Sequence, residues 1–125
     1  MGRIRQMVNI NGREGWTLFD TGARNTYVVP EVASLLTTSK IKKPFRSAIG
    51  GKVKETTETA LLDAEIEGRR ISTHAMVIDE IGVDEDGKPI EVLFGALAMQ
   101  QWGIRLIPEQ EKLDLTHYPE EFVEF

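Results

Sequence analysis

Leu18-Phe19-Asp20-Thr21-Gly22-Ala23 is the stretch on which the fold turns. Apolar residues of strand-forming type run into an acidic residue, and a hydroxyl and a glycine follow at once. A carboxylate at a strand end is held by the sheet behind it. Thr21 can hydrogen-bond backbone groups or its counterpart in another subunit, and Gly22 lets a backbone N–H approach the carboxylate closely. The expected product is a rigid acidic site, with Asp20 as the candidate catalytic group.

Outward from this run, short apolar segments rich in Val, Ile, Thr and aromatics recur between turn signals, so the chain reads as mainly β. Met7–Ile10 and Trp16–Phe19 flank Asn11-Gly12-Arg13-Glu14-Gly15 and predict a hairpin, because an Asn-Gly pair takes the positive φ angles of a tight reversal. Tyr27-Val28-Val29 is a brief strand stopped by Pro30, with a helical turn over Glu31–Leu36. Lys40, Lys42, Lys43 and Pro44 read as a solvated connection. Phe45–Glu55 places Gly50-Gly51 at the tip of a second hairpin, and Ala60–Glu67 with Ile71–Ile78 form a third across Gly68-Arg69-Arg70. Val92-Leu93-Phe94 runs into Gly95 and then a short helix in ALAMQQW, ended by Gly103. Ile104–Ile107 and Lys112–Leu115 make a last hairpin.

Composition narrows the function. The chain has 125 residues, 41% of them hydrophobic, which suits one domain spanning 1–125. A net charge of -5 opposes a nucleic-acid partner. With no cysteine there is no disulfide, thiolate metal site or cysteine nucleophile, which fits a reducing compartment. The opening MGRIRQMVNING lacks an apolar signal core, and the longest apolar run, Val92–Met99, is less than half the ~20 residues of a membrane span. A soluble, cytoplasmic protein without a membrane partner is expected. His74 and His117 have no ligand-like spacing, so no metal and no cofactor is expected. Ser47 and Ser72 lack the glycines of a nucleophile elbow, and Trp16 and Trp102 are assigned to packing. Asp84-Glu85-Asp86-Gly87 lacks the ligand spacing of a calcium loop and reads as a solvated turn.

Leu18-Phe19 before Asp20-Thr21-Gly22-Ala23, and Tyr27-Val28-Val29 after it, resemble the retropepsin-like, or retroviral-type, aspartic proteases. Downstream, Ile49-Gly50-Gly51 is similar to that family's glycine-tipped flap, and VLFGALAM to its apolar-apolar-glycine element. The resemblance runs from Val8 to Leu115, and GALAMQQWGIRLIPEQEKLDL is most like cellular and prokaryotic members. It implies a closed β-barrel of the acid protease fold with one short helix in the C-terminal half. It implies Asp20 as the catalytic acid, Thr21, Gly22 and Ala23 as the active-site loop, Ile49, Gly50 and Gly51 as the flap over the substrate, and Gly95 as a packing glycine. Arg24-Asn25 replaces the acidic pair common in retroviral members, and Ala96 replaces a frequent arginine, so a supporting ion pair is missing. The tail Thr116–Phe125 extends past the last family-like strand and leaves the subunit arrangement open.

Hydrolysis of a peptide without metal, Cys or a Ser-His pair needs an acid and a base side by side, which two carboxylates sharing one proton provide. The chain has a single Asp-Thr-Gly, so the second carboxylate is expected from Asp20 of a symmetry mate. The function expected is a homodimeric aspartic endopeptidase acting on polypeptides. The alternative is a non-catalytic peptide-binding or dimerisation module of the same fold.

Overall fold

The computed structural model describes residues 2–124. Strands β1 (Arg3–Ile10), β2 (Arg13–Asp20) and β3 (Tyr27–Val28) lead to a helical turn α1 (Pro30–Ala33). Next come β4 (Thr37–Ile49), β5 (Lys52–Ile66), β6 (Arg69–Val77), β7 (Gly82–Val83), β8 (Pro89–Ile90) and β9 (Val92–Phe94). Helix α2 (Ala96–Gln101), β10 (Arg105–Ile107), a 3-10 turn (Pro108–Gln110) and β11 (Lys112–Asp114) complete the chain.

One turn geometry makes three of the hairpins. Asn11-Gly12, Gly50-Gly51 and Glu67-Gly68 each place consecutive residues at positive φ, the twist that lets two strands reverse without splaying. Both outer turns are tighter than the sequence suggests. Arg13, Glu14 and Gly15 belong to β2, and Arg69 and Arg70 to β6. Lys40–Pro44 is not a connection at all but lies inside β4, whose register against β5 shifts between Lys40 and Phe45. Proline cannot donate to a ladder, and an edge strand with a register shift is where it is tolerated.

The main sheet is ordered β1-β2-β9-β3-β6-β5-β4, and Asn9 of β1 also bridges Glu65 of β5. That bridge closes a barrel and leaves β4 outside it, paired only with β5. Two of the sheet's pairings are parallel, β2 with β9 and β3 with β6, and the others are antiparallel. Along β5, Ala60, Leu62, Ala64 and Ile66 face inward while Leu61 and Glu65 face solvent, the period of two of a half-buried strand. Phe19 and Phe94, opposite each other in β2 and β9, pack with ring centroids 5.1 Å apart at the centre of the core. Truncating either to alanine would cost about 3–5 kcal/mol.

Beyond β11 the chain folds back on itself. Tyr118 stacks on Trp102 at 6.0 Å and donates its hydroxyl to the Arg70 carbonyl, and Phe122 meets Trp102 edge-on. No described helix is long and apolar enough to cross a membrane.

Candidate active site

Asp20 ends β2 opposite Arg3 of β1 and is buried, with 6% of its surface exposed. Its Oδ1 accepts the Gly22 N–H at 2.8 Å, and its Oδ2 faces Arg3 Nε at 3.2 Å. The next residue is held by the start of the chain: Thr21 donates its N–H to the Gly2 carbonyl and accepts the Gly2 N–H on Oγ1 at 2.9 Å. From the other side, Ala96 and Leu97 donate their N–H groups to the carbonyls of Ala23 and Arg24, and Gly95 donates to Thr26 Oγ1 at 3.1 Å. These are first-turn donors of α2, which have no partner inside the helix. A Cβ on Gly95 would overlap the Asn25 carbonyl oxygen and lie 2.7 Å from its carbon. Only glycine lets the β9-α2 junction approach the Asp20 loop this closely.

The opposite wall is the tip of the β4-β5 hairpin. Gly50 and Gly51 have φ of 57° and 79°, and a Cβ on either would meet nothing within 4 Å. Below the tip both arms are tied to the barrel, and Lys52 Nζ lies 3.8 Å from the Glu80 carboxylate. Tyr27 donates its hydroxyl to Ser47 Oγ at 3.0 Å, and Lys54 Nζ reaches the Asp79 carboxylate at 3.0 Å with Glu80 beside it. The hydrogen bond from Lys54 holds the Asp79 carboxyl below the usual range, and the same bond raises Lys54.

Between loop and tip lies a cleft of about 730 Å³. Asp20, Gly22 and Ala23 line one side, Ile49 and Gly50 the other, and Leu18, Tyr27, Ile90 and Leu93 give it an apolar floor. Five of the residues singled out in the sequence therefore meet in one place. Thr21 and Gly51 are not on its wall, and Gly95 lies behind the loop it supports.

A match to the aspartyl protease family spans residues 7–97, from β1 through the first turn of α2. The chain belongs to the aspartyl protease family. Among curated proteins, none matches it. The retroviral protease-like domain of Ddi1 from Leishmania major aligns with a TM-score of 0.65 and 14% identity, over 93% of this chain and 90% of that one. EIAV protease, solved with the inhibitor HBY-793, aligns with a TM-score of 0.56 and 23% identity, over 84% of this chain and 92% of that one. The fold of this aspartyl protease family member is therefore retropepsin-like and mainly β.

In this aspartyl protease relative the sequence reading missed the neighbours of Asp20 rather than Asp20 itself. Arg3 and Gly2 lie far from it along the chain, and nothing local marks them as partners. The tie from Lys54 to Asp79 was equally hidden. Both tryptophans pack as expected: the Trp16 indole donates to Asp84 and the Trp102 indole to the Ser72 carbonyl. Asp84 also accepts the N–H groups of Asp86 and Lys88, so the acidic segment is a turn built on its first carboxylate. Among the described residues no group of three or more His, Asp or Glu is placed to hold a metal ion.

Proposed function

We propose that residues 1–125 act as one retropepsin-like aspartic protease domain, a cytoplasmic homodimer in which two Asp20 carboxylates hydrolyse a peptide bond. The observation that carries this reading is the aim of Asp20: a nearly buried carboxylate, fixed by the Gly22 N–H, opening into a cleft under a glycine-tipped hairpin. Glu80 is the other carboxylate on the cleft wall, and Lys52 and Lys54 engage it. A second acid of the same kind has to come from a second copy.

Two carboxylates a few ångströms apart cannot both ionise cheaply, so the pair holds one proton between them. The ionised Asp20 takes a proton from water as its oxygen attacks the scissile carbonyl carbon. The protonated one gives its proton to the carbonyl oxygen. The resulting diol collapses: the nitrogen takes the proton of one carboxyl, one diol hydroxyl gives its proton to the other carboxylate, and the C–N bond breaks to release the amine and restore the singly protonated pair. An extended peptide would lie between the apolar floor and the hairpin tip. Arg3 occupies Oδ2, but 63% of its side chain is exposed, so it can swing away without opening the core.

That same ion pair favours a second reading, a non-catalytic peptide-binding or dimerisation module in which Asp20 has a structural partner. One experiment separates the two. Asp20→Asn subunits are mixed into the parent at fixed total protein, and cleavage of an unstructured peptide is followed at mildly acidic pH. The endopeptidase predicts activity falling as the square of the parent fraction, and pure Asp20→Asn protein slower by about a thousandfold or more. A linear fall would mean each subunit works alone, and a parent that cleaves nothing would leave the module.

A further inference from the structure

Four cations line the cleft, Arg3, Arg24, Lys52 and Lys54, against the carboxylates of Asp20 and Glu80. This excess of positive charge stands on a chain whose net charge is -5. Three of the four are occupied: Arg3 by Asp20, Lys52 by Glu80, and Lys54 by Asp79 and Glu80. Arg24 is exposed and, among the described residues, forms no ion pair and no side-chain hydrogen bond. Its backbone is fixed all the same, because its carbonyl accepts the Leu97 N–H at the start of α2.

Arg24 also stands at a junction. Together with Asn25 it lines both the Asp20 cleft and an adjoining groove of about 490 Å³, whose walls include Leu61, His74, Leu97 and Gln101. A peptide leaving the cleft in extended form toward that groove would run past Arg24 and Asn25, the two residues that line both. A rigidly based, unpaired guanidinium presents a fork of donors that matches a carboxylate in two parallel bonds.

We propose that Arg24 is a specificity-determining residue, which selects polypeptides carrying an Asp or Glu side chain to one side of the bond held at Asp20 and directs them into the adjoining groove. The assignment rests on the cleft being the peptide site. It gives a chain whose net charge repels acidic substrates a local field of the opposite sign.

The test walks Glu, Gln or Lys through the positions flanking an apolar pair in a series of fluorogenic peptides. Cleavage is measured with the parent, Arg24→Gln, Arg24→Lys and Arg24→Glu, and binding of the same peptides to Asp20→Asn protein, with and without Arg24→Glu, by fluorescence anisotropy. The expected result is a preference of about tenfold for Glu over Lys at positions on one side only. Arg24→Gln should erase it, Arg24→Lys should keep part of it, and Arg24→Glu should invert it. Binding that shows the preference without any cleavage by the parent would support Arg24 while removing the endopeptidase. Equal Glu-to-Lys ratios in the parent and Arg24→Glu, in cleavage or in binding, would overturn the assignment, as would failure of every peptide to bind.

Discussion

The Asp20 loop and the Gly50-Gly51 tip face each other across one cleft, yet glycine serves opposite ends in them. In the loop the important glycine is Gly95, which has ordinary backbone angles and no room: the Asn25 carbonyl fills the space a Cβ would take. At the tip, Gly50 and Gly51 have all the room they need and unusual backbone angles. Crowding immobilises the first region from both sides, through Gly2 and through α2. The second is joined to the barrel only through side chains of its two arms, by Ser47, Lys52 and Lys54 and by the packing of Ile49 on the cleft floor. A cleft with one fixed wall and one thinly tethered wall suits a site that must keep an acid in place while admitting a chain.

The sharpest way to break this contrast is to put side chains on the glycines of each wall. Gly95→Ala should lower stability by about 3 kcal/mol or more, since a backbone carbonyl cannot yield as a side chain can. Thermal unfolding would register it, and an unchanged melt would show that the junction is looser than described. Gly50→Val with Gly51→Val is gentler on the fold, at about 1–2 kcal/mol for each left-handed residue. That double variant should stay folded and lose turnover roughly tenfold, because the tip can no longer take its reversal. Peptide cleavage at the parental rate would detach the tip from the reaction.

Charge sharpens the contrast on the tethered side. Lys54 holds Asp79 below the usual carboxyl range, so the contribution of Asp79 is present above that range and lost as the pH falls through its lowered value. Lys54 is raised by the same bond, so its contribution is present at and below the usual lysine value and lost only as the pH rises through the raised one. Neutral pH lies inside the window. On acidification, amide exchange in the outer half of β5 should quicken relative to the barrel, and Lys54→Met should show that quickening already at neutral pH. Asp79 is exposed and the pair sits on the projecting hairpin, so the change should be confined to that hairpin; a drop in global stability of similar size would contradict the tether. Tyr27→Phe should have the smallest effect, removing one hydrogen bond to Ser47 at a cost of about 1 kcal/mol. A double-mutant cycle with Ser47→Ala would show whether that cost belongs to the pair.

How far these two walls could be read from the sequence follows from what each is made of. Leu18–Ala23, Gly50-Gly51 and Gly95 carry local signals, a strand end, a turn pair and a strand-to-helix glycine, and each stands where those signals place it. Lys40–Pro44 misled because an arm that projects from a barrel has little buried face: Ile41 alone in that stretch is half-buried, and charge there looks like a loop. The partners of Asp20 were invisible for a different reason. Register between β1 and β2 brings Arg3 opposite Asp20, and register is fixed by a turn and a core pattern distributed over the whole hairpin. The same limit hid the bridge from Asn9 to Glu65. The back-folded tail was read only as an extension, and the ring stack on Trp102 gives it its place.

The barrel is in effect a rolled strip pinned once along its seam, where Asn9 meets Glu65, with fully buried Ile10 and Ile66 just beneath. A seam with a single rung is the place where water first enters, and fraying there exposes apolar surface without unzipping any other ladder. Arg3 and Asn9 lie near opposite ends of β1, roughly 20 Å apart at the rise of an extended strand. Breathing at the seam therefore leaves the Asp20 end of that strand anchored. Solvent exchange and site geometry are separable properties of this molecule, and a substitution that loosens one need not be felt by the other.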